Sequence, residues 1–257
     1  MKLEEILDGV RSRTAERAGR LGRPELERRA ALSPVPRDFR AALTGSRPPR
    51  IIAEIKRASP SRGPIRPGLD PVGTARGYQE AGAAAISVLT ESGFFRGSLA
   101  DLAAVKTAVS LPVLQKEFIL EEYQIFEGRA AGADAILLIT AILPADRLAG
   151  LYRLSRDLGL APLVEVHDER ELETALALGA ELIGINNRNL KSLEVNLETG
   201  RRLLSLIPPD RTAIIESGLK TREKIGEFLR LGARAFLIGE SLLSRPDPAA
   251  ALREMLT

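Results

Sequence analysis

Four segments of the chain repeat one pattern: Ala81-Gly82-Ala83-Ala84-Ala85-Ile86-Ser87-Val88-Leu89, Ala131-Gly132-Ala133-Asp134-Ala135-Ile136-Leu137-Leu138-Ile139, Leu178-Gly179-Ala180-Glu181-Leu182-Ile183-Gly184-Ile185-Asn186 and Leu231-Gly232-Ala233-Arg234-Ala235-Phe236-Leu237-Ile238-Gly239. Each opens on a glycine able to end a helix in the left-handed conformation, and an apolar run follows at once. Such a run is the mark of a strand buried on both faces. The glycines are spaced by 50, 47 and 53 residues. That is too long for one strand–helix unit but fits two of about 25 residues each. A second apolar run lies midway in every interval, at residues 111–116, 161–166 and 211–216, and another, 51–56, precedes the first repeat. Eight strands alternating with amphipathic stretches, such as Leu148-Leu151-Leu154-Leu158 and Leu172-Ala175-Leu176, predict a parallel α/β fold closed into a (β/α)8 TIM barrel. The regular period, and the lack of a G-x-G-x-x-G turn, count against an open doubly wound sheet.

At 257 residues the chain is the size of one such barrel. Residues 1–48 are expected to add an N-terminal helical extension of one or two helices and a linker ending at Arg47-Pro48-Pro49, with the barrel at 49–257. The absence of Cys removes disulfide scaffolds, thiol catalysis and iron–sulfur chemistry. A single His, His167, leaves no site built on several imidazoles, so no metal is expected. Trp is absent and Phe and Tyr number 7 and 3, a poor supply of stacking platforms for nucleic-acid bases. No apolar run approaches the length of a membrane span, and the start of the chain, with Glu4 and Glu5, is acidic and amphipathic rather than signal-like. The expectation is a soluble cytoplasmic protein.

Positive charge is uneven. Residues 11–50 hold eleven Arg against Glu16, Glu25, Glu27 and Asp38, while the whole chain carries only +3. This arm reads as a helical segment with a solvated basic face. It is also compatible with nucleic-acid binding, or with attraction of an anionic small molecule.

In a barrel of this kind the chemistry sits where strands end. Here the first strand ends in Glu54 and Lys56, the third in Lys116 and Glu117, the fifth carries Glu165, the sixth ends in Asn186 and Arg188, and the seventh in Glu216 and Ser217. Charged groups in apolar runs are costly unless paired or functional. Glu54 and Lys56, two apart on a strand, share a face. Acids and bases converging from several strands suit proton-transfer catalysis without cofactor. Ser217-Gly218 and Gly239-Glu240-Ser241 follow the seventh and eighth strands, where barrels often bind phosphate, and Ser59 can add a hydroxyl. His167 reads as a helix-start or supporting group.

The segment Ile52-Ala53-Glu54-Ile55-Lys56-Arg57-Ala58-Ser59-Pro60-Ser61 closely resembles the signature of the indole-3-glycerol-phosphate synthase family. In order, so do Ser87-Val88-Leu89-Thr90-Glu91, Phe94-Phe95-Arg96-Gly97-Ser98, Leu114-Gln115-Lys116-Glu117-Phe118, Val164-Glu165-Val166-His167, Ile185-Asn186-Asn187-Arg188-Asn189-Leu190 and Glu216-Ser217-Gly218. The resemblance spans essentially the whole chain. Asn189, where an acidic residue is frequent, and Glu240, where small polar residues are common, depart from it. It implies conversion of 1-(2-carboxyphenylamino)-1-deoxyribulose 5-phosphate to indole-3-glycerol phosphate, carbon dioxide and water in tryptophan biosynthesis. It further implies Lys116 as general acid, Glu165 as its helper, and Glu54 with Lys56 for the dehydration. Asn186 and Arg188 would orient the substrate, and Ser59, Ser217, Gly218, Gly239 and Glu240 would surround its phosphate. Phe95, Phe118, Leu137, Leu190 and Leu193 would wall the aromatic ring.

Three rivals make different demands. A phosphosugar isomerase of the same pathway would share the phosphate loops without needing these Lys and Glu residues. A nucleic-acid binder would use the Arg-rich arm. A sensor barrel would keep the ligand site without catalysis. The expected partner is a small phosphosugar, with neither nucleic acid nor membrane, and the expected state a monomer. The amphipathic, basic N-terminal segment is expected to cover the ligand.

Overall fold

The computed structural model describes residues 3–45 and 49–257. Arg47 and Pro48 of the expected linker lie outside the described residues. Before the barrel come α1 (Leu3–Arg20), α2 (Arg23–Leu32) and α3 (Phe39–Thr44). The extension thus holds three helices where the sequence reading expected one or two. The additional one is short, and its start is fixed by Asp38, whose side chain accepts from Ala41 N–H. Its Phe39 and Leu43 are fully buried against the N-terminal end of the barrel, so packing rather than helical periodicity secures it.

The barrel strands are β1 (Arg50–Ile55), β2 (Ala85–Leu89), β3 (Val113–Lys116), β4 (Ala135–Ile139), β5 (Ala161–Val166), β6 (Leu182–Asn186), β7 (Thr212–Glu216) and β8 (Ala235–Ile238). Each pairs in parallel with its sequence neighbours, and β1 pairs with β8 through Arg50↔Ala235 to Ala53↔Ile238, closing the barrel. The helices α4 (Pro71–Glu80), α5 (Leu99–Ala108), α6 (Glu122–Ala130), α7 (Ala145–Asp157), α8 (Glu169–Ala177), α9 (Leu197–Leu204), α10 (Arg222–Arg230), α11 (Glu240–Leu243) and α12 (Pro248–Leu256) connect and cover them. Many begin at a residue able to cap: Asp70, Ser98, Asp168, Asn196, Thr221 and Asp247 each accept a first-turn N–H. Each such cap is worth about 1 kcal/mol. The four repeat glycines all sit in the left-handed region, at φ 97°, 91°, 77° and 105°.

Because side chains alternate along a strand, the apolar runs feed two cores. One lies between strands and helices. The other fills the barrel with Ile52, Leu114, Leu137, Leu163, Leu182 and Ile214. Ile6, Leu7 and Val10 of α1 join this inner cluster, and Leu3 and Ile6 reach the cavity at the strands' C-terminal ends. The extension therefore spans the barrel from mouth to floor.

Its arginines explain how it stays there. Arg13 pairs with Glu91, and Arg17 forks onto Glu127 at 2.6 and 2.9 Å. Arg23 meets Glu122 at 2.9 Å and Arg40 meets Glu181 at 2.5 Å. Arg37 and Arg50 bond backbone carbonyls, and Arg11, Arg20, Arg28 and Arg29 pair with acids of their own helices. Among the described residues, the arginines of the basic arm are thus partnered rather than a free cationic face. Among the described residues, no helix is long and apolar enough to cross a membrane.

Candidate active site

The C-terminal mouth of the barrel opens into a cavity of about 730 Å³, and every candidate residue named from the sequence lines it. At its floor, Lys116 Nζ lies 3.0 Å from Glu165 Oε2 and 3.3 Å from Glu216 Oε2. Lys56 Nζ lies 2.5 Å from Glu54 Oε1, the shared face that their spacing predicts. All three carboxylates are buried.

Burial opposes the charge on Lys116, but Glu165, Glu216 and Glu54 together outweigh it and hold its pKa well above the usual lysine value. Lys116 therefore keeps its proton at neutral pH. Burial alone would lift Glu165, yet Lys116 and His167 keep it far below the usual carboxylate range. Glu216 goes the other way. Burial, reinforced by the charges of Glu165 and Glu54, outweighs Lys116 and pushes it up to about 8. One lysine thus stands between an ionised carboxylate and a proton-holding one, the separation that assigns opposite acid–base duties to like groups.

His167 supports this pair. Its Nε2 is 3.3 Å from Glu165 Oε1 and its Nδ1 is 3.0 Å from Glu171. Burial works against its charge, but the two carboxylates prevail and raise it to about 10. The supporting role expected from its position fits these contacts, and the helix start belongs to Asp168, which caps α8.

One side of the cavity is apolar. The rings of Phe95 and Phe118 stand 6.0 Å apart, tilted by 45°. The buried Glu91 fixes Phe95 by accepting from the backbone N–H groups of Gly93, Phe94 and Phe95 at 2.8, 2.7 and 3.0 Å. Leu137, Leu190 and Leu193 also line the cavity, with Leu193 at φ 62°. Polar groups line the cavity as well. Ser217 and Gly218 both have positive φ, 65° and 80°, and Gly239 and Ser59 line the cavity too. Asn186 Oδ1 accepts from Arg188 N–H at 3.0 Å, and Arg188 donates to Leu193 O at 2.9 Å. The Glu240 side chain meets Arg62 at 3.1 Å and Arg188 at 3.6 Å.

Sequence reasoning named Glu216 as the end of the seventh strand without giving it a role, and left Arg62 and Ile6 out. Glu216 carried a usable signal, since it closes the apolar run Ala213-Ile214-Ile215 as Lys116 closes its own. Arg62 and Ile6 carried none, because only the closed fold brings them to the cavity.

A family model for indole-3-glycerol phosphate synthase matches residues 3–255. The chain belongs to the indole-3-glycerol phosphate synthase family. A relative of that name from a Nocardioides species is 51% identical over 259 residues, covering 98% of this chain and 97% of its own. Another, from a Parafrankia species, is 47% identical over 257 residues, covering 99% and 95%. Among solved structures, 3-hexulose-6-phosphate synthase matches with a TM-score of 0.65 at 16% identity, covering 81% of this chain and 98% of that one. A mutant tryptophan synthase α-subunit from Pyrococcus furiosus matches with a TM-score of 0.62 at 14% identity, covering 80% and 97%. These two likenesses are of fold alone.

Proposed function

We propose that the chain acts as an indole-3-glycerol phosphate synthase on 1-(2-carboxyphenylamino)-1-deoxyribulose 5-phosphate. The observation that carries this reading is the protonated Lys116 held between Glu165 and Glu216, below an apolar wall and facing a polar, glycine-lined edge. The substrate has three unlike parts, an aromatic carboxylate, a ketone and a phosphate, and the cavity offers a matching surface to each.

In this reading the aryl ring lies against Phe95 and Phe118, with its carboxylate near Lys56. The ring carbon bearing the carboxylate attacks the ketone carbon. Lys116 gives its proton to the ketone oxygen as that bond forms, and Glu165 stabilises the developing positive charge on the ring system. Breaking the carboxylate bond releases carbon dioxide, and its electron pair returns to the ring. The new hydroxyl then leaves as water, taking a proton from an acid while a base removes one from the adjacent carbon. Glu54 and Lys56 are placed for this second exchange. Asn186 and Arg188 orient the chain of the sugar, and Ser59, Ser217, Gly218 and Gly239 face its phosphate. No step changes oxidation state by transfer to an outside acceptor.

We also take the enzyme to be a cytoplasmic monomer acting on a free small molecule, with the two barrel ends covered by its own extension. Light scattering in solution tests the mass. The activity is tested by following indole fluorescence from the substrate, with EDTA present, for wild type and Lys116→Ala. The expected result is product from wild type and a loss of about 10²-fold or more in the variant. Absence of product from folded wild type would move the reading to an isomerase or a sensor. Equal rates would overturn the assignment of the acid.

A further inference from the structure

We infer that Arg62 is a phosphate-binding residue whose guanidinium Glu240 holds in reserve, so that Glu240 sets phosphate affinity by competition. The inference rests on the proposed phosphate edge of the cavity. Arg62 lies in the tight hairpin that follows β1, where Ala58–Ser59 pairs with Gly63–Pro64 and Gly63 takes φ 67°. Glu240 follows β8 and Arg188 follows β6, so one carboxylate ties together three loops across the mouth.

The two arginines are held differently. Arg188 is anchored a second time, by Leu193 O at 2.9 Å. Among the described residues, the Arg62 side chain bonds Glu240 alone, and it is 56% exposed. An exposed ion pair of this kind is weak, so its exchange is cheap. A phosphate accepts two parallel hydrogen bonds from a guanidinium and carries more charge than a carboxylate. A phosphate arriving between Ser59, Gly218 and Gly239 therefore takes Arg62 from Glu240, while Arg188 remains in place. Without Glu240 the hairpin cation would be free from the start, and the anion would bind more tightly.

The test is calorimetric titration of inorganic phosphate into wild type, Arg62→Gln, Glu240→Gln and the double variant, each checked for folding by circular dichroism. Arg62→Gln is expected to weaken phosphate by about 5- to 10-fold through loss of a charge-assisted bond. Glu240→Gln is expected to tighten it by about 3- to 10-fold through loss of the competing charge. In the Arg62→Gln background the Glu240→Gln effect should shrink below about 2-fold, since the pair no longer exists. Equal tightening in both backgrounds would mean a general charge effect and would overturn the inference. So would unchanged or weaker binding in Glu240→Gln, or no phosphate binding to wild type. Titration needs no turnover, so a failure of the proposed reaction is seen separately. A matching shift in KM for the phosphorylated substrate assigns the site to the substrate's own phosphate rather than to free phosphate.

Discussion

Replacing Lys116 by Met keeps most of the side chain's volume and removes the charge that sits among the carboxylates on the floor of the mouth cavity. At a separation of 3.0 Å, the attraction to the ionised Glu165 is gross roughly 5 kcal/mol at an effective dielectric constant near 20. Desolvation cancels much of that. Removing one partner of a buried pair costs about 3–5 kcal/mol because the other charge stays buried alone. The remaining carboxylates can escape this cost by taking up protons, and that makes the loss depend on pH. In wild type the depressed Glu165 contributes stability that is present above its unfolded value and lost as pH falls through the folded one. In the variant only His167 is left to oppose burial, and with the charge of Lys116 gone Glu165 shifts upward. Its contribution is then present below the unfolded value and lost as pH rises through the folded one. The deficit of Lys116→Met should therefore reach about 3–5 kcal/mol at pH 8 and fall below half of that near pH 5. Urea unfolding of both proteins at the two pH values measures it, and melting should show a drop of about 2–4 °C per kcal/mol. A deficit equal at both pH values, or a stabilised variant at pH 8, would refute the electrostatic account and leave only packing.

Four other substitutions, one of them a control, probe the surroundings of this site. Gly184→Ala places a methyl group onto the carboxylate of Glu216; it should cost about 1–3 kcal/mol and lower kcat. Gly150→Ala, in a helix with open space around it, should leave both intact by the same unfolding and rate measurements. Glu91→Ala removes the acceptor of three backbone N–H groups and the partner of Arg13; KM should rise as Phe95 loosens, and an unchanged KM would confine Glu91 to folding. His167→Asn tests a raised group. The stability that wild-type His167 contributes is full below its unfolded value near 6.5 and is lost as pH rises toward about 10. Wild type should therefore lose up to about 1.4 kcal/mol per pH unit across that window relative to the variant in pH-dependent urea unfolding.

Much of the barrel was legible because its construction is repetitive. The glycines at 82, 132, 179 and 232 mark the same turn four times, and the strands between them follow from apolar runs too short to be helices. The site was legible where charge interrupts such a run, as at Glu54, Lys116 and Glu165, because an apolar strand has no other reason to carry a charge. What stayed hidden depends on distance in the folded chain. Phe39 and Leu43 sit in a segment too short to show periodicity, and only the barrel floor makes them a helix. Ile6 looks like an ordinary apolar residue of an amphipathic helix until that helix lies over the mouth. The Arg-rich arm read as a charge surplus because its partners Glu91, Glu122, Glu127 and Glu181 are far off in sequence.

Two glycines show how the charged floor and the apolar barrel were fitted to each other. A barrel interior is normally filled by layers of branched side chains. On β6, Gly184 takes an inward place in that pattern, and a Cβ there would collide with the Glu216 carboxylate. Just after β8, a Cβ at Gly239 would collide with Glu54. Each carboxylate thus occupies space that a neighbour has given up. Glu216 Oε1 is moreover buried with no hydrogen-bond partner among the described residues. That lack of a donor favours the protonated form, in the same direction as burial and the neighbouring negative charges. Glycine at 184 therefore does more than admit a carboxylate. It admits one into a pocket where nothing but Lys116 stabilises its charge, and so it helps Glu216 keep its proton beside an ionised Glu165.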